Sequence, residues 1–155
     1  MATPLRIDFV SDVACPWCVI GLRSLMKALE AVGGDVDAEI HFQPFELNPD
    51  MAPEGENTIE HVIKKYGSNP ERSAASRNAM KESGDALGFT FNYGPQSRIW
   101  NTFDAHRLLH WAGLEGKQPE LKEALFKANF TDQLSTSDHE VLAGVARSAG
   151  LDEER

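Results

Sequence analysis

The sequence predicts an α/β fold that begins as a βαβ unit and continues as a long helical block. A chain of 155 residues is long enough to bury a core of its own. Within residues 1–46, two alternating apolar segments flank a segment of helical periodicity. Beyond them, nearly every apolar stretch has the spacing of an amphipathic helix. This change of pattern divides the chain into residues 1–46 and a mainly helical part at residues 47–155.

The first strand is predicted over Leu5–Val10, where apolar and polar residues alternate. A turn is predicted at residues 11–14. The apolar residues then recur at helical spacing over Pro16–Val32, with proline at the first helical position, where its missing N–H costs nothing. Gly33 and Gly34 are predicted to end this helix.

The second strand is predicted over Ala38–Phe45, where the alternation returns. A strand, a helix and a strand in this order form a βαβ unit, whose strands are parallel and whose crossover is right-handed. A sheet of two strands is not stable by itself. We therefore expect either further strand pairing or a continuation of the fold after Arg155.

The rest of the chain is predicted to be helical after a proline-containing loop at residues 46–57, apart from a short extended piece at residues 89–91. Ser137–Glu140 has the capping-box pattern for the start of the last helix, and Gly150 is predicted to follow its end. The predicted helices are Thr58–Tyr66, Pro70–Leu87, Thr102–Ala112, Pro119–Phe130 and Asp138–Ala149.

The net charge and the hydropathy of the sequence limit the classes of partner and the cellular compartment that we expect. Fifteen basic and 24 acidic residues give a formal net charge of −9, which argues against nucleic acid or an anionic membrane surface as a partner. No apolar run approaches the roughly 20 residues of a membrane span, and the amino terminus does not resemble a signal peptide. We therefore expect a cytoplasmic protein, in which a cysteine pair is more often catalytic, redox-sensing or metal-binding than structural.

The two cysteines form the motif Cys15-Pro16-Trp17-Cys18 at the start of the first helix. Residues three apart on a helix share a face, so the two thiols can form a small disulfide loop. The positive end of the helix dipole and the free N–H groups favour a thiolate at Cys15, whereas the negative charge of Asp12 opposes it. We predict that Cys15 forms the mixed disulfide with substrate and that Cys18 resolves it.

A zinc site is the alternative interpretation of this motif. It needs two further ligands, and the sequence has no second CxxC and no histidine at ligand-like spacing to the first. The five histidines are His41, His61, His106, His110 and His139. His106 and His110 share a helix face, which permits a metal pair, but a half-buried histidine bonded to the backbone fits the same spacing. We predict redox chemistry and no metal.

The segment Asp12–Gly21 resembles the active-site signature of DsbA-like thiol–disulfide oxidoreductases of the FrnE type. The resemblance continues in Phe42–Pro49, Asn101–Leu108 and Leu125–Ala128, and it covers nearly the whole chain. It implies a thioredoxin-like fold interrupted by an all-helical insertion that lies over the cysteine pair and shapes a substrate cleft. Residues 1–46 would then begin the thioredoxin-like domain, and residues 47–155 would form the insertion.

The same resemblance implies what lies outside this sequence. Members of the family usually continue with a cis-proline loop, two further strands and a closing helix, so we expect the C-terminal strands of the fold to be absent from this chain. Related glutathione-dependent isomerases, which act on 2-hydroxychromene-2-carboxylate, and kappa-type glutathione transferases typically carry serine where this chain has Cys15. The presence of both cysteines favours dithiol chemistry without a bound cofactor, with glutathione as a conceivable reductant or cosubstrate.

Five further residues are candidates for substrate binding. Pro16 and Trp17 lie between the cysteines, and Trp17 is expected to be partly exposed. Asn48 follows the second strand, where turn formation is the alternative role. Asn101 and His106 belong to the helix that the resemblance places near the cleft, although Asn101 is also a good helix N-cap.

The predicted function is exchange of a dithiol for a disulfide on a disulfide-bearing protein or a small-molecule thiol substrate. Two alternatives stay open from the sequence. One is a glutathione-dependent isomerase or transferase, in which replacement of Cys15 by serine would preserve activity. The other is a non-catalytic module whose helical cleft binds a ligand, in which Cys15 would react no faster than a free cysteine.

Overall fold

The computed structural model describes residues 1–152 and residue 154. The described residues form two sheets of two strands each, one parallel and one antiparallel, together with six α-helices. This agrees with the predicted α/β fold class. The strands are β1 (Thr3–Ser11), β2 (Val36–Pro44), β3 (Glu56–Asn57) and β4 (Arg98–Ile99). The helices are α1 (Pro16–Val32), α2 (Thr58–Tyr66), α3 (Pro70–Ala86), α4 (Phe103–Leu114), α5 (Gln118–Phe126) and α6 (His139–Ser148). A 3₁₀ turn spans Gly33–Asp35, and a π-helical segment spans Lys127–Thr131.

The predicted βαβ unit is confirmed. Strands β1 and β2 pair in parallel, with Thr3 opposite Val36 and Ser11 opposite Pro44, and α1 connects them. Both strands begin two residues before the predicted starts, because the ladder extends beyond the segments in which apolar and polar residues alternate. Helix α1 has the predicted bounds, and it ends where Gly33 adopts a φ of +57°, a conformation that favours glycine.

The second sheet was not predicted. Glu56–Asn57 falls at the end of the predicted loop and pairs antiparallel with Arg98–Ile99. Strands of two residues are too short to show alternation, and their pairing depends on residues far apart in the sequence. The extended piece predicted at residues 89–91 joins neither sheet, since Phe89 and Phe91 are buried in an aromatic cluster instead.

The helix ends correct three further details. Helix α5 ends at Phe126 and continues as a π-helical segment rather than as α-helix to Phe130. The N-cap of α6 is Asp138, whose Oδ1 accepts hydrogen bonds from the backbone N–H groups of Glu140 and Val141. The capping box at Ser137 was therefore wrong by one residue. The predicted start of α4 at Thr102 becomes its N-cap, with Phe103 as the first helical residue.

The buried apolar residues form two clusters on either side of the turn that precedes α1. The first joins the last three helices and includes Val13 from that turn. The second joins α1, β2 and α3 to an aromatic group, and it includes Phe126 from α5. The buried residues of this second cluster are Val19, Leu22, Phe42, Met80, Phe89, Phe91, Phe126 and Phe130. Buried side chains of both clusters therefore hold the turn that carries the cysteines. The domain boundary predicted between residues 46 and 47 stays a prediction.

None of the described helices is both long enough and apolar enough to cross a membrane.

Candidate active site

The cysteine pair opens α1 as the sequence predicted. Cys15 is the N-cap residue, with extended backbone angles of φ −97° and ψ 109°, and Pro16 is the first helical residue. The backbone N–H of Cys15 donates to the carbonyl of Asp12, and the N–H of Cys18 donates to the carbonyl of Cys15. No acidic residue lies in the first turn of α1, so the positive end of the helix acts on the thiols without a competing charge from the helix itself.

The two thiols are free, half-buried and hydrogen-bonded to each other. The hydrogen bond from Cys15 lowers the pKa of Cys18 to about 6, and the same bond raises the pKa of Cys15. Burial opposes the ionisation of both, whereas the backbone N–H groups of Cys18 and Trp17 favour a charge on Cys15. Because the sulfurs share a proton, the first ionisation belongs to the pair and is easy, and the second is difficult.

The sequence predicted that the helix start favours a thiolate at Cys15, whereas the contacts in the structure lower the pKa of Cys18. A hydrogen bond from the backbone of Asp12 and the positive charge of Lys122 favour the negative charge on Cys18, whereas the carboxylate charge of Asp12 opposes it. Cys18 is also the sulfur that packs against the aromatic cluster. The sequence indicated the helix dipole correctly but not this second, buried source of positive charge.

Accessibility distinguishes the two sulfurs in the opposite sense. Cys15 lines a cavity of about 530 Å³, and Cys18 does not. Trp17 is 52% exposed and lines the same cavity, together with Pro16 and Asn48. A ligand in the cavity therefore meets Cys15 first, with three of the five predicted substrate-binding residues around it.

Asp12 fixes the turn that carries Cys15. Its side chain is 1% exposed; Oδ1 accepts from Ala14 N–H at 3.3 Å, and Oδ2 accepts from Leu47 N–H at 2.8 Å. Burial by itself would raise the pKa of this carboxyl, but hydrogen bonds from His106, Leu47 and Thr102 hold it below the ordinary value. Asp12 thus ties the turn before α1 to the segment after β2 and to the start of α4.

The two remaining predicted binding residues lie outside the cavity. His106 is 8% exposed, and its Nε2 contacts Asp12 Oδ1 at 3.2 Å, so its described role is to hold the turn. The Nδ2 of Asn101 donates to the carbonyl of Met51 at 2.9 Å, and its Oδ1 accepts from Phe103 N–H. Neither side chain lines the cavity, and the contacts of Asn101, which lies one residue before the N-cap Thr102, hold the start of α4.

Lys122 is a buried cation that the sequence analysis missed. Its side chain is 1% exposed, and its ammonium lies 5.1 Å from the ring centroid of Phe126 and 5.8 Å from that of Phe42. Burial lowers its pKa to about 8, and the negative charges of Cys18 and Asp12 oppose that shift. A signal was present, because Lys122 shares the buried face of α5 with leucines and a phenylalanine.

Tyr93 is a second residue that the sequence analysis missed. It lines the cavity and stacks on Phe91 with a centroid distance of 6.0 Å. Burial raises the pKa of its hydroxyl, and the charge of Cys15 raises it further. The hydroxyl therefore stays protonated near the reactive sulfur and is available as a hydrogen-bond donor.

The far wall of the cavity contains an irregular backbone segment. The π-helical segment contributes Asn129, whose Nδ2 donates to the carbonyl of Val13 at 3.1 Å. Just beyond it, Gln133 has a φ of +55°, which is uncommon for a residue other than glycine. Its Oε1 accepts from the hydroxyl of Ser97 at 2.7 Å, and this bond holds the strained residue against the cavity.

A metal centre finds no support in the part of the chain that the structure describes. No group of three or more His, Cys, Asp or Glu residues there is arranged to hold a metal ion.

Comparison with known proteins places this chain in a family. The sequence matches the DSBA-like thioredoxin domain over residues 6–155. It is 25% identical over 148 residues to the uncharacterized protein YwbO of Bacillus subtilis (strain 168), an alignment that covers 96% of this chain and 68% of YwbO.

Two crystal structures resemble the fold. A probable DsbA oxidoreductase from Streptomyces coelicolor has a TM-score of 0.89 and 34% identity, and the match covers 96% of this chain and 64% of that one. A candidate protein disulfide isomerase from Nitrosomonas europaea has a TM-score of 0.63 and 18% identity, covers 96% and 66% of the two chains, and shows the fold alone. This chain thus spans somewhat less than two thirds of either structure. The DsbA-like resemblance and the thioredoxin-like fold class are confirmed, and the chain belongs to the DSBA-like thioredoxin domain family.

Proposed function

We propose that this protein is a thiol–disulfide oxidoreductase in which Cys15 forms the mixed disulfide and Cys18 resolves it. The observation that carries the proposal is the asymmetry of the pair: only Cys15 lines the cavity, while the two thiols share a proton. The oxidoreductase class of the family supports the same reading. The substrate is a disulfide-bearing protein or a small molecule that can reach the cavity.

The reduction of a substrate disulfide proceeds in two exchanges. The Cys15 thiolate attacks one sulfur of the substrate, which forms a Cys15–substrate disulfide and expels the other sulfur as a thiolate. The sulfur of Cys18 then attacks Cys15, which breaks the mixed disulfide and releases the second substrate thiolate. The chain loses two electrons and two thiol protons and gains the Cys15–Cys18 bond, and the reverse sequence oxidises a dithiol.

The shared proton gives each cysteine its turn as nucleophile. In the reduced pair the shared proton lies mainly on Cys15, and its transfer to Cys18 leaves the Cys15 thiolate, which the backbone N–H groups of Cys18 and Trp17 stabilise. Once Cys15 is bonded to substrate, it has no proton to donate to Cys18. The buried charge of Lys122 then helps to stabilise Cys18 as the second thiolate. In disulfide isomerisation, a second thiolate of the substrate would attack the mixed disulfide before Cys18 does, which forms a new substrate disulfide and releases Cys15 as a thiolate.

The test uses single serine variants of the full chain. We expect Cys18→Ser to accumulate a mixed disulfide at Cys15 when it is mixed with oxidised glutathione, as seen by intact mass and peptide mapping. Cys15→Ser should form no adduct and should lose dithiol–disulfide exchange. Wild-type chain should release two thiols for each disulfide consumed.

Two outcomes would contradict the proposal. Retention of full activity in Cys15→Ser would favour the glutathione-dependent isomerase or transferase. Alkylation of Cys15 across pH 4 to 9 with the midpoint of a free cysteine, about 8.5, would favour the non-catalytic binding module.

A further inference from the structure

The cavity beside Cys15 is basic, although the protein as a whole has a net charge of −9. Three arginines line it, namely Arg72, Arg77 and Arg98. No aspartate or glutamate among the described residues lines it. His61 also lines the cavity, but its Nδ1 lies 2.7 Å from Glu56, so it adds no free positive charge. A local excess of arginine in an acidic protein indicates a site for negative charge.

The arginines of the cavity have no carboxylate partner. No described Asp or Glu lies within 4.0 Å of the guanidinium of Arg72, Arg77 or Arg98. Arg72 makes no side-chain hydrogen bond to the described chain, and Arg77 donates only to the hydroxyl of Ser73 at 2.7 Å. Arg98 donates to backbone carbonyls, which do not neutralise its charge.

Arginines elsewhere behave differently. Arg6 and Arg107 pair with carboxylates at 3.1 Å, and Arg23 pairs with one at 3.0 Å. The pairing of these side chains shows that acidic partners are plentiful on this molecule. Arg72 and Arg77 are therefore distinguished by leaving most of their donors available to a ligand.

Helix α3 presents two of these arginines in a regular pattern. Arg72, Ser73, Ser76, Arg77 and Met80 recur at helical spacing, and all five line the cavity. The charge of Arg77 acts on the Tyr93 hydroxyl, which is in turn influenced by Cys15. One helix face thus carries two guanidinium groups and two serine hydroxyls towards the reactive sulfur.

We propose that this cavity selects small disulfides and thiols that carry carboxylate groups, with Arg72 and Arg77 binding the carboxylates while the substrate sulfur reaches Cys15. The inference rests on the proposed oxidoreductase function and names its substrate class. A volume of about 530 Å³ lies within the range of small-molecule sites. In the reaction, one anionic disulfide takes two electrons and two protons from the Cys15–Cys18 dithiol and leaves as two carboxylate-bearing thiols.

The experiment compares three disulfides that differ only in charge. Dithiodipropionate, hydroxyethyl disulfide and cystamine have the same length of carbon arm and end in carboxylates, hydroxyls and ammonium groups. For each disulfide, the rate at which it oxidises the reduced full chain is divided by the rate at which the same disulfide oxidises dithiothreitol. This ratio corrects for the intrinsic reactivity of the disulfide. We expect the anionic disulfide to be about tenfold faster than the neutral one and the cationic one to be slowest. Added salt should reduce this preference.

Matched variants locate the preference. Arg72→Gln with Arg77→Gln should abolish the advantage of dithiodipropionate over hydroxyethyl disulfide. Lys81→Gln removes the same charge from an exposed position of α3 that does not line the cavity, and it should keep the preference. If the double variant does not fold, Arg72→Gln alone, at an exposed site, should reduce the advantage about threefold.

The possible results distinguish a wrong substrate class from a wrong oxidoreductase function. Equal normalised rates for the three disulfides, or a preference that survives in both arginine variants, would overturn the anionic substrate class. Failure of all three disulfides to oxidise the Cys15–Cys18 pair would overturn the proposed function itself.

Discussion

The turn that carries Cys15 has two contrasting sides. On the cavity side, Arg72 and Arg77 leave charge unpaired and open to a ligand. On the buried side, Asp12 is saturated with hydrogen bonds, and Lys122 is enclosed by aromatic rings. Both sides place charge near the same two sulfurs, but only one of them can exchange partners with solvent.

This contrast teaches how one short motif can separate recognition from reactivity. Charges that contact solvent are screened and adaptable, so they suit the selection of a substrate. Buried charges are screened far less, so they suit the control of thiol ionisation. Variants on the buried side should therefore change stability and thiol pKa, and variants on the cavity side should change the reaction with substrates while stability and thiol pKa stay nearly constant.

The largest effect is expected from Asp12→Ala. The change leaves the N–H of Leu47 and the ring of His106 without their buried acceptor. Each buried group left without its hydrogen-bond partner costs about 1–3 kcal/mol, and urea unfolding would measure the summed loss. Asp12→Asn keeps the shape and should recover part of it. Asp37→Asn, at an exposed position, should change the free energy of unfolding by less than about 0.5 kcal/mol.

Acid adds a second test of the same residue. The folded-state pKa of Asp12 is lower than the ordinary value of 3.8, so its ionised form contributes stability above that value. The contribution is lost as pH falls through the lower, folded-state pKa. Wild-type chain should therefore lose stability over this acidic window more steeply than Asp12→Ala. Parallel slopes for the two proteins would show that Asp12 contributes no such linkage.

A smaller effect, of opposite sign, is expected from Lys122→Met. Burial lowers the pKa of Lys122 from 10.5 to about 8, so the folded chain disfavours its charge at neutral pH. Methionine removes that cost and should raise the free energy of unfolding by about 2 kcal/mol at pH 7. The gain is complete below pH 8, shrinks as pH rises, and vanishes above 10.5. Lys27→Met, an exposed change on α1, should show no such pH dependence.

The variant Lys122→Met should also raise the pKa at which the cysteine pair first ionises. Loss of the Lys122 charge removes one of the groups that hold the pKa of Cys18 at about 6. The ultraviolet absorbance of thiolate should then rise at a higher pH than in wild-type chain, with the oxidised chain as the blank. An unchanged midpoint would show that the hydrogen bond from Cys15 alone sets the ionisation of the pair.

Local signals made parts of this fold predictable from the sequence. Helices α1 and α2 were predicted to the residue, because Pro16, Gly33 and the N-cap Asn57 mark their ends with neighbouring residues only. The pairing of Glu56 with Ile99 could not be predicted in this way, since it depends on contacts across much of the chain.

In the candidate active site too, features encoded by neighbouring residues were predictable, and features that depend on distant contacts were not. The spacing of Cys15 and Cys18 was enough to predict a dithiol at a helix start. The contacts of Asp12 with Leu47 and His106 join residues 35 and 94 positions apart, and no local pattern encodes them. For this reason His106 was predicted as a substrate contact, whereas the structure places it behind the turn.

The smallest effect on stability is expected from Trp17→Ala, on the cavity side. Trp17 is 52% exposed, so its loss should change the free energy of unfolding by no more than about 0.5 kcal/mol. The backbone N–H that favours the Cys15 thiolate remains, so the thiol pKa should not move. The rate with every disulfide should nevertheless fall a few-fold, because the side chain forms part of the cavity wall.

Phe103→Ala is the matched control, since Phe103 is 55% exposed and does not line the cavity. Stopped-flow oxidation of the reduced variants would measure the difference between them. Equal rates for Trp17→Ala and Phe103→Ala would mean that the aromatic wall beside Cys15 contributes nothing to substrate binding. The preference for carboxylates would then rest on the arginines of α3 alone.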